Sequence, residues 1–233
     1  SLAPKLTAPL KKRSRRTSKL REAIFSKDEM LSVAESLTPS RFLGYEKSSA
    51  KATLLKILKG KTTCKTISAG DEALLIFDQT PFYAEAGGQV GDTGAVRAAK
   101  GSAEVLNTQW LGRAIAHHVR VTQGVFTEGE TAELHIDEAR RAAIMKNHTA
   151  THLLHSALRK ILGDHVKQSG SLVAPDRLRF DFTHFKALDD ETLSKVEARV
   201  NAEIEKKTRL EKRVLSKEKA LAEGAIAFFG EKY

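Results

Sequence analysis

The sequence predicts an α+β protein in which an all-β part precedes a mixed part. Between Arg41 and Ile136, short β-type runs alternate with Gly-rich turns, a texture typical of a small barrel or sandwich. From Asp137 onward, apolar residues recur with a helical period, and two later stretches alternate as strands do. We therefore expect a domain boundary near residue 137.

Composition bounds the class of protein. The 233 residues are 41% hydrophobic and 29% charged, which is typical of a soluble globular chain with one large or two small domains. No apolar run approaches the roughly 20 residues of a membrane-spanning helix, and the N-terminus lacks a signal peptide's apolar core. The lone Cys64 excludes an internal disulfide and fits a reducing compartment. We expect a cytoplasmic protein.

The first 40 residues include a strongly basic segment and a predicted short helix. The net charge of the chain is +10, and residues 1–21 hold eight Lys or Arg and no acidic residue. Such a run can neutralise nucleic-acid phosphates, but it is also typical of a solvated tail or linker. Residues 27–36 have the pattern of a short helix, which Pro39 would end.

In residues 41–137 the predicted strands are "TCKTI", "ALLIFD", "AEVLNT", "AIAHHVRV" and "TAELHI". The segment "FYAEAGGQVGDTG", residues 82–94, carries four glycines in eight positions. Glycine permits tight turns and close approach to a ligand, so this segment is either a chain of β-turns or a binding loop. It is not a phosphate-binding P-loop, because no Gly-Lys-Ser/Thr follows.

Residues 138–233 are predicted to alternate helices and strands. Asp137 is a candidate N-cap for a helix through Leu162, which Gly163 would close. "GSLVAP" and "RLRFDFTHF" are predicted strands, the second with one buried face. A further helix begins at Asp189 or Asp190. The apolar stripe of this helix consists of Leu193, Val196, Val200 and Ile204. Val214 and Leu215 are predicted to lie in another strand, and "KEKALAEGAIAFF" is predicted to form a final short helix.

Three of the eight histidines lie within "NHTATHLLH", on the first long helix. His148 and His152 are four residues apart, so both imidazoles face the same side of a helix and can bind one metal ion. His155, about a turn further on, is a third candidate ligand. Position 149 is Thr149 rather than the Glu of an HExxH metalloprotease, which argues against a protease. The alternative is that these histidines are ordinary core or surface residues.

Four blocks together resemble the editing region of bacterial alanyl-tRNA synthetases. They are "RFLGY", "DQTPFYAEAGGQVGDTG", the stretch from "NHTATHLLH" to "RLRFDFTH", and "GAIAFFGEKY", and they cover about residues 41–233. Free-standing alanyl editing deacylases and threonyl-tRNA synthetases share the HxxxH module, but the glycine block favours the alanyl group. The resemblance implies a basic linker over residues 1–40, a β-barrel over 41–137 and an α+β editing domain over 138–233.

The resemblance also implies an activity. The family hydrolyses the ester of serine or glycine wrongly attached to tRNA(Ala), and the parent enzyme attaches alanine to tRNA with ATP. A pocket sized for alanine cannot strongly exclude smaller glycine or an analogue that adds one hydroxyl, so a second site must remove the errors. We expect tRNA(Ala) as partner and Zn as cofactor.

Site residues follow from the same resemblance. His148 and His152 match zinc ligands. Thr151 matches a threonine that senses the substrate side chain, and Gln168 matches a glutamine that lines the same pocket, so both are expected to be catalytic residues. Four further residues are expected to bind substrate: Gly87, Gly88, Gln89 and Thr149. Residue chemistry alone leaves open that Thr151 bonds only its own helix backbone. It also leaves open that Gln168 is only a strand-edge residue.

One part of the family pattern is not matched. The family's other two zinc ligands are a Cys and a His in a "CGGTH"-type motif, whereas the only cysteine here is Cys64, in the first part. We therefore expect a fragment or a truncated form of a synthetase, with water, His155 or a neighbouring molecule completing the metal sphere. The remaining alternatives are a free-standing deacylase and a non-catalytic tRNA-binding module.

Overall fold

The computed structural model describes residues 35, 37–60, 62–209, 213 and 215–224. The basic run over residues 1–21, the predicted helix over 27–36 apart from Glu35, and Val214 lie outside the described residues. So does the terminal block after Gly224. No described helix is long and apolar enough to cross a membrane.

The described chain divides into two compact units. The first comprises the chain up to Glu85 together with Gly91–Glu138, and the second comprises Ala86–Val90 together with the chain from Ala139 onward. The glycine-rich residues 86–90, which the sequence places in the barrel part, are therefore grouped with the second unit. Each unit has its own hydrophobic core.

The first unit is formed by strands. In chain order they are β1 Arg41–Phe42, β2 Ser49–Lys59, β3 Thr62–Cys64, β4 Thr66–Ser68, β5 Glu72–Phe77, β6 Gln79–Thr80, β7 Gly94–Ala98, β8 Gly101–Leu111, β9 Ala114–Thr127 and β10 Thr131–Ile136. Six of them pair in the closed order β2-β10-β7-β8-β9-β5 and back to β2, all antiparallel. The predicted small β-barrel is confirmed.

Strand β2 was not among the predicted strands. Its sequence "SAKATLLKILK" carries three lysines and lacks a regular alternation of apolar and polar residues. A register shift between Leu54 and Lys56 explains the irregular pattern, because a β-bulge changes which side chains face inward. Leu54 and Ile57, three residues apart, thus both lie in the barrel core. Strand β7 was also missed, and "TCKTI" forms two short strands, β3 and β4, rather than one.

A buried histidine links two strands of the barrel with the short strand β6. His117 on β9 is fully buried, and its Nδ1 lies 3.0 Å from the Leu75 carbonyl on β5. Because a carbonyl only accepts, Nδ1 carries a proton, and burial lowers the pKa of His117 to about 4, so the ring is neutral near pH 7. Nε2 then accepts from the hydroxyl of Thr80, at 2.7 Å. A polar group buried in an apolar core is stable only when it is hydrogen-bonded in this way.

In the part of the chain that the structure describes, the second unit combines three helices with a hairpin. The helices are α1 Glu138–Leu162, α2 Asp190–Glu205 and α3 Lys217–Ala222, and the strands are β11 Gln168–Val173 and β12 Leu178–Phe182. The bounds of α1 confirm the predicted helix, and Gly163 follows it with a φ of +112°. Ala157 and Leu158 of α1 pack with Val196 of α2 and with the partly buried Phe180 of β12.

Helix α2 confirms one sequence prediction and corrects another. The Asp189 side chain accepts a hydrogen bond from the backbone N–H of Thr192, so Asp189 is the N-cap. In the predicted apolar stripe, Val196 and Val200 contact the core, but Leu193 and Ile204 are 48% and 53% exposed. The buried face of α2 is therefore narrower than predicted.

The region after α2 corrects a further prediction. Leu215 lies outside any strand, so it does not form the predicted strand with Val214. Because a short apolar pair fits a strand, a turn or a helix flank equally well, local pattern could not decide between them. The predicted final helix is confirmed only as the short α3.

Candidate functional site

Helix α1 holds His148 and His152 on one face, on consecutive turns. Their ring centroids lie 5.1 Å apart and the ring planes are tilted by 38°. Both side chains are exposed. A histidine bound to tetrahedral zinc places its ring centre roughly 3 Å from the metal, so two such ligands have ring centres about 5 Å apart. The spacing of the ring centroids therefore matches that of two ligands of one zinc ion.

His148 makes a further contact that helix spacing does not imply. Its Nδ1 lies 2.6 Å from Oε1 of Gln89, which is only 8% exposed. The pKa of His148 is lowered, first by partial desolvation of its ring and then by the nearby His152. Lowering this pKa favours the neutral imidazole, which is the form that binds metals.

His155 is placed differently from the other two histidines. Its ring packs against Phe180 of β12, with the ring centroids 5.0 Å apart. Within the described part of the chain, no group of three His, Cys, Asp or Glu side chains is arranged to hold a metal ion. The structure thus brings together His148 and His152 without a third such side chain from these residues.

The two threonines of the histidine segment both bond the helix backbone. The Thr151 hydroxyl donates to the carbonyl of Asn147 at 2.8 Å, and the Thr149 hydroxyl donates to that of Met145 at 3.1 Å. Thr151 is only 6% exposed. Because the Thr151 hydroxyl already donates its proton to Asn147, its oxygen can only accept a hydrogen bond from any further group.

The glycine block forms a tight turn in the second unit. Gly87 and Gly88 have φ values of +56° and +81°, and the backbones of Ala86 and Gln89 bond each other in both directions. Positive φ at both central positions is typical of a type I′ turn, for which glycine is favoured. A Cβ on Gly88 would clash with Ser171 of β11, whereas a Cβ on Gly87 would meet open space.

Strand β11 holds this turn and carries Gln168. The Val173 N–H donates to the Gly88 carbonyl at 2.8 Å, and the Val90 N–H donates to the Val173 carbonyl at 3.1 Å. Gln168 is partly buried, and its Nε2 donates to the Ser171 hydroxyl over a long 3.4 Å. The Ser171 hydroxyl in turn lies 3.4 Å from the Gly87 carbonyl. Gln168 is thus linked through Ser171 to the glycine turn.

Two contacts of this region were missed from the sequence. Ser171 lies between Gln168 and the glycine turn, and Asn147 donates its side-chain amide to the Ala174 carbonyl at 2.7 Å. Asn147 thereby ties α1 to the residue that follows β11. Both residues are part of quoted blocks, but neither has a spacing that marks it as functional. Their roles depend on contacts between segments that are distant in the chain.

Comparison with known proteins identifies the family of the chain. Residues 5–140 match the family described as class II (A) tRNA synthetases, and the chain belongs to that family. It is 48% identical over 201 residues to the alanine–tRNA ligase of Cereibacter sphaeroides and 45% identical over 201 residues to that of Paracoccus denitrificans. Each match covers 86% of this chain and 23% of the relative.

These relatives confirm the resemblance to alanyl-tRNA synthetases that the four sequence blocks predict. The chain spans about a quarter of the length of the curated relatives that it matches.

Proposed function

We propose that this chain is the editing part of an alanyl-tRNA synthetase and hydrolyses the ester of serine or glycine wrongly attached to tRNA(Ala). The observation that carries the proposal is the pair formed by His148 and His152, whose 5.1 Å spacing fits two ligands of one zinc ion. The membership of the chain in the class II tRNA synthetases supports it. The parent enzyme would attach alanine to this tRNA with ATP, in the cytoplasm.

The reaction is an ester hydrolysis. Water adds to the ester carbonyl, the bond to the ribose oxygen breaks, and that oxygen takes the proton, which leaves free amino acid and intact tRNA. A zinc ion held by His148 and His152 would supply a Lewis acid for this chemistry. His148 and His152 would hold it, and Gln168, on β11 beside Ser171, would contact the substrate.

Thr151 gives this site a means of distinguishing serine from alanine. Its hydroxyl proton is donated to Asn147, so its oxygen can accept a hydrogen bond from the serine side chain. Alanine has no hydroxyl to donate and would leave this buried oxygen without that bond. This bond favours the seryl ester over the alanyl ester, and it contributes nothing to hydrolysis of the glycyl ester, because glycine has no hydroxyl either.

The net charge of +10 supports tRNA as the partner, because basic residues neutralise phosphates. This contribution is independent of sequence and weakens with salt. It would add affinity for the tRNA body, while the residues around His148 would select the aminoacyl group.

The experiment is deacylation of Ser-tRNA(Ala), Gly-tRNA(Ala) and Ala-tRNA(Ala) in the presence of zinc. It is run on this chain and on a longer version that adds the Cys and His motif expected from the resemblance. We expect the seryl and glycyl esters to be hydrolysed faster than the alanyl ester, and His148→Ala to remove the difference. Equal rates on all three esters would refute editing.

Binding of tRNA(Ala) by the longer version, with no hydrolysis of any ester, would favour a non-catalytic tRNA-binding module instead.

A further inference from the structure

The backbone of Gln89 is held in place by two neighbouring segments. Its backbone closes the turn with Ala86, bonded in both directions, and forms a parallel bridge with Val173. With only 8% of its surface exposed, Gln89 has little freedom to turn towards solvent. From this fixed position its Oε1 lies 2.6 Å from Nδ1 of His148.

This contact determines which nitrogen of His148 carries the proton. A side-chain amide oxygen only accepts hydrogen bonds, so the partner Nδ1 must be the protonated nitrogen. In a neutral ring, the lone pair then lies on Nε2. Histidines that bind metals commonly donate their other ring N–H to an oxygen in this way, which fixes the ring orientation and raises the basicity of the ligating nitrogen.

We infer that Gln89 is a positioning residue, which orients His148 and fixes its Nδ1–H tautomer so that Nε2 is presented for metal binding. This inference rests on the metal-binding part of the proposed function. It assigns Gln89 a role through His148, whereas the sequence predicts direct contact with substrate.

The glycine turn explains how Gln89 reaches this position. Gly87 and Gly88 reverse the chain at positive φ immediately before Gln89. Gly88 lies so close to β11 that an added Cβ would stand 2.7 Å from the Ser171 carbonyl oxygen. The two glycines and the bond from Val173 to Gly88 therefore fix the backbone that carries Gln89. The two glycines thus help to orient His148 indirectly, through Gln89.

The first test reads the tautomer of His148 in the metal-free chain, above the pKa of free histidine, which is about 6.5. Nitrogen NMR of the labelled imidazoles distinguishes a protonated from a bare ring nitrogen, and His148→Ala identifies the signals. We expect Nδ1 protonated and Nε2 bare. A bare Nδ1 with a protonated Nε2 would mean that the Gln89 amide nitrogen faces the ring, and would overturn the inference.

Two variants test whether Gln89 causes this preference. Gln89→Leu keeps similar bulk but accepts no hydrogen bond, so the Nδ1–H preference should be lost. Gln89→Glu retains an acceptor oxygen, so the preference should persist. If Gln89→Leu does not fold, the wild-type tautomer and Gln89→Glu decide the question. Loss of the Nδ1–H form in Gln89→Glu, or its persistence in Gln89→Leu, would contradict a positioning role.

The second test measures affinity for Co²⁺ alone, by its visible absorption, without tRNA. Gln89→Leu should weaken binding by roughly 10- to 100-fold, as is usual when the partner of a metal-binding histidine is removed. Gln89→Glu should stay within a few-fold of the wild type. Unchanged affinity in Gln89→Leu would overturn the inference. Both readouts are separate from ester hydrolysis, so failure of the editing proposal would leave them interpretable.

Discussion

The imidazole rings of His148 and His152 lie 5.1 Å apart, centroid to centroid, on consecutive turns of α1. A four-residue spacing in an unbroken helix puts the two residues on one face, so local sequence is enough to predict that they are neighbours. The contact between His148 and Gln89, by contrast, joins residues 59 apart in the chain. The site therefore combines one local relationship with one that only the tertiary fold creates.

Replacing Thr151 with Val should reduce the hydrolysis of Ser-tRNA(Ala) while leaving that of Gly-tRNA(Ala) nearly unchanged. The hydroxyl oxygen of Thr151 can accept a hydrogen bond from serine, but glycine has no hydroxyl to offer. Loss of such a hydrogen bond is expected to cost about 0.5–1.5 kcal/mol, or about two- to tenfold in rate. The measurement is the ratio of the two deacylation rates.

Thr151→Ser is the matched control for this prediction, because it keeps a hydroxyl that can bond the Asn147 carbonyl. We expect it to retain the preference for the seryl ester. An equal fall in the seryl and glycyl rates of Thr151→Val would mean that Thr151 supports the helix rather than senses the substrate.

Gly88→Ala should destabilise the second unit more than Gly87→Ala. Both positions have positive φ, which costs a residue with a Cβ roughly 1–2 kcal/mol. At Gly88 the Cβ also meets the Ser171 backbone, whereas at Gly87 it meets open space. Because both variants share the backbone cost, their difference in urea-unfolding free energy isolates the contact with β11. Equal destabilisation would show that this close packing does not stabilise the unit.

The barrel should lose stability as the pH falls from about 6.5 to about 4. Burial lowers the pKa of His117 from 6.5 to about 4, against an opposing hydrogen bond to Leu75. Between these values the unfolded chain takes up a proton that the folded barrel resists, so protons favour unfolding. The contribution of neutral His117 to the free energy of unfolding is complete above about pH 6.5. By pH 4 the free energy of unfolding has fallen by an amount on the order of 3 kcal/mol.

Urea unfolding followed through Trp110 fluorescence measures this dependence, since Trp110 is the only tryptophan and lies on β8. His117→Gln provides the control, because it has hydrogen-bonding groups but does not titrate. The difference in stability between the wild type and His117→Gln should shrink as the pH falls through the window. If that difference is independent of pH, His117 does not stay neutral in the folded barrel.

Features with a local signal were predicted from the sequence. The bounds of α1 follow from a long helical period ended by Gly163, and the cap of α2 follows from Asp189. Strand β2 lacked such a signal, because a bulge shifts its inward-facing positions and lysines interrupt its apolar residues. The exposure of Leu193 and Ile204 could not be predicted either, because an apolar stripe on a helix does not indicate how wide the surface is against which the helix packs.

The candidate site was predictable only in part for the same physical reason. The pairing of His148 with His152 depends on helix geometry, and the alternative that Thr151 bonds its own helix was already visible in its residue type. The grouping of residues 86–90 with the second unit depends on backbone bonds to Val173, about 85 residues further along the chain. Neither the glycine-rich segment nor the segment around Val173 has a periodicity or turn signal that predicts its pairing with the other.

The most direct test of the account measures zinc binding and X-ray absorption at the zinc edge for the wild type and histidine variants. A zinc ion held by this pair should have imidazole nitrogens at about 2.0–2.1 Å, and both His148→Ala and His152→Ala should weaken its binding. His165→Ala should bind as the wild type does, because His165 bonds His184 instead. Unchanged zinc affinity after both His148 and His152 are replaced would contradict the account.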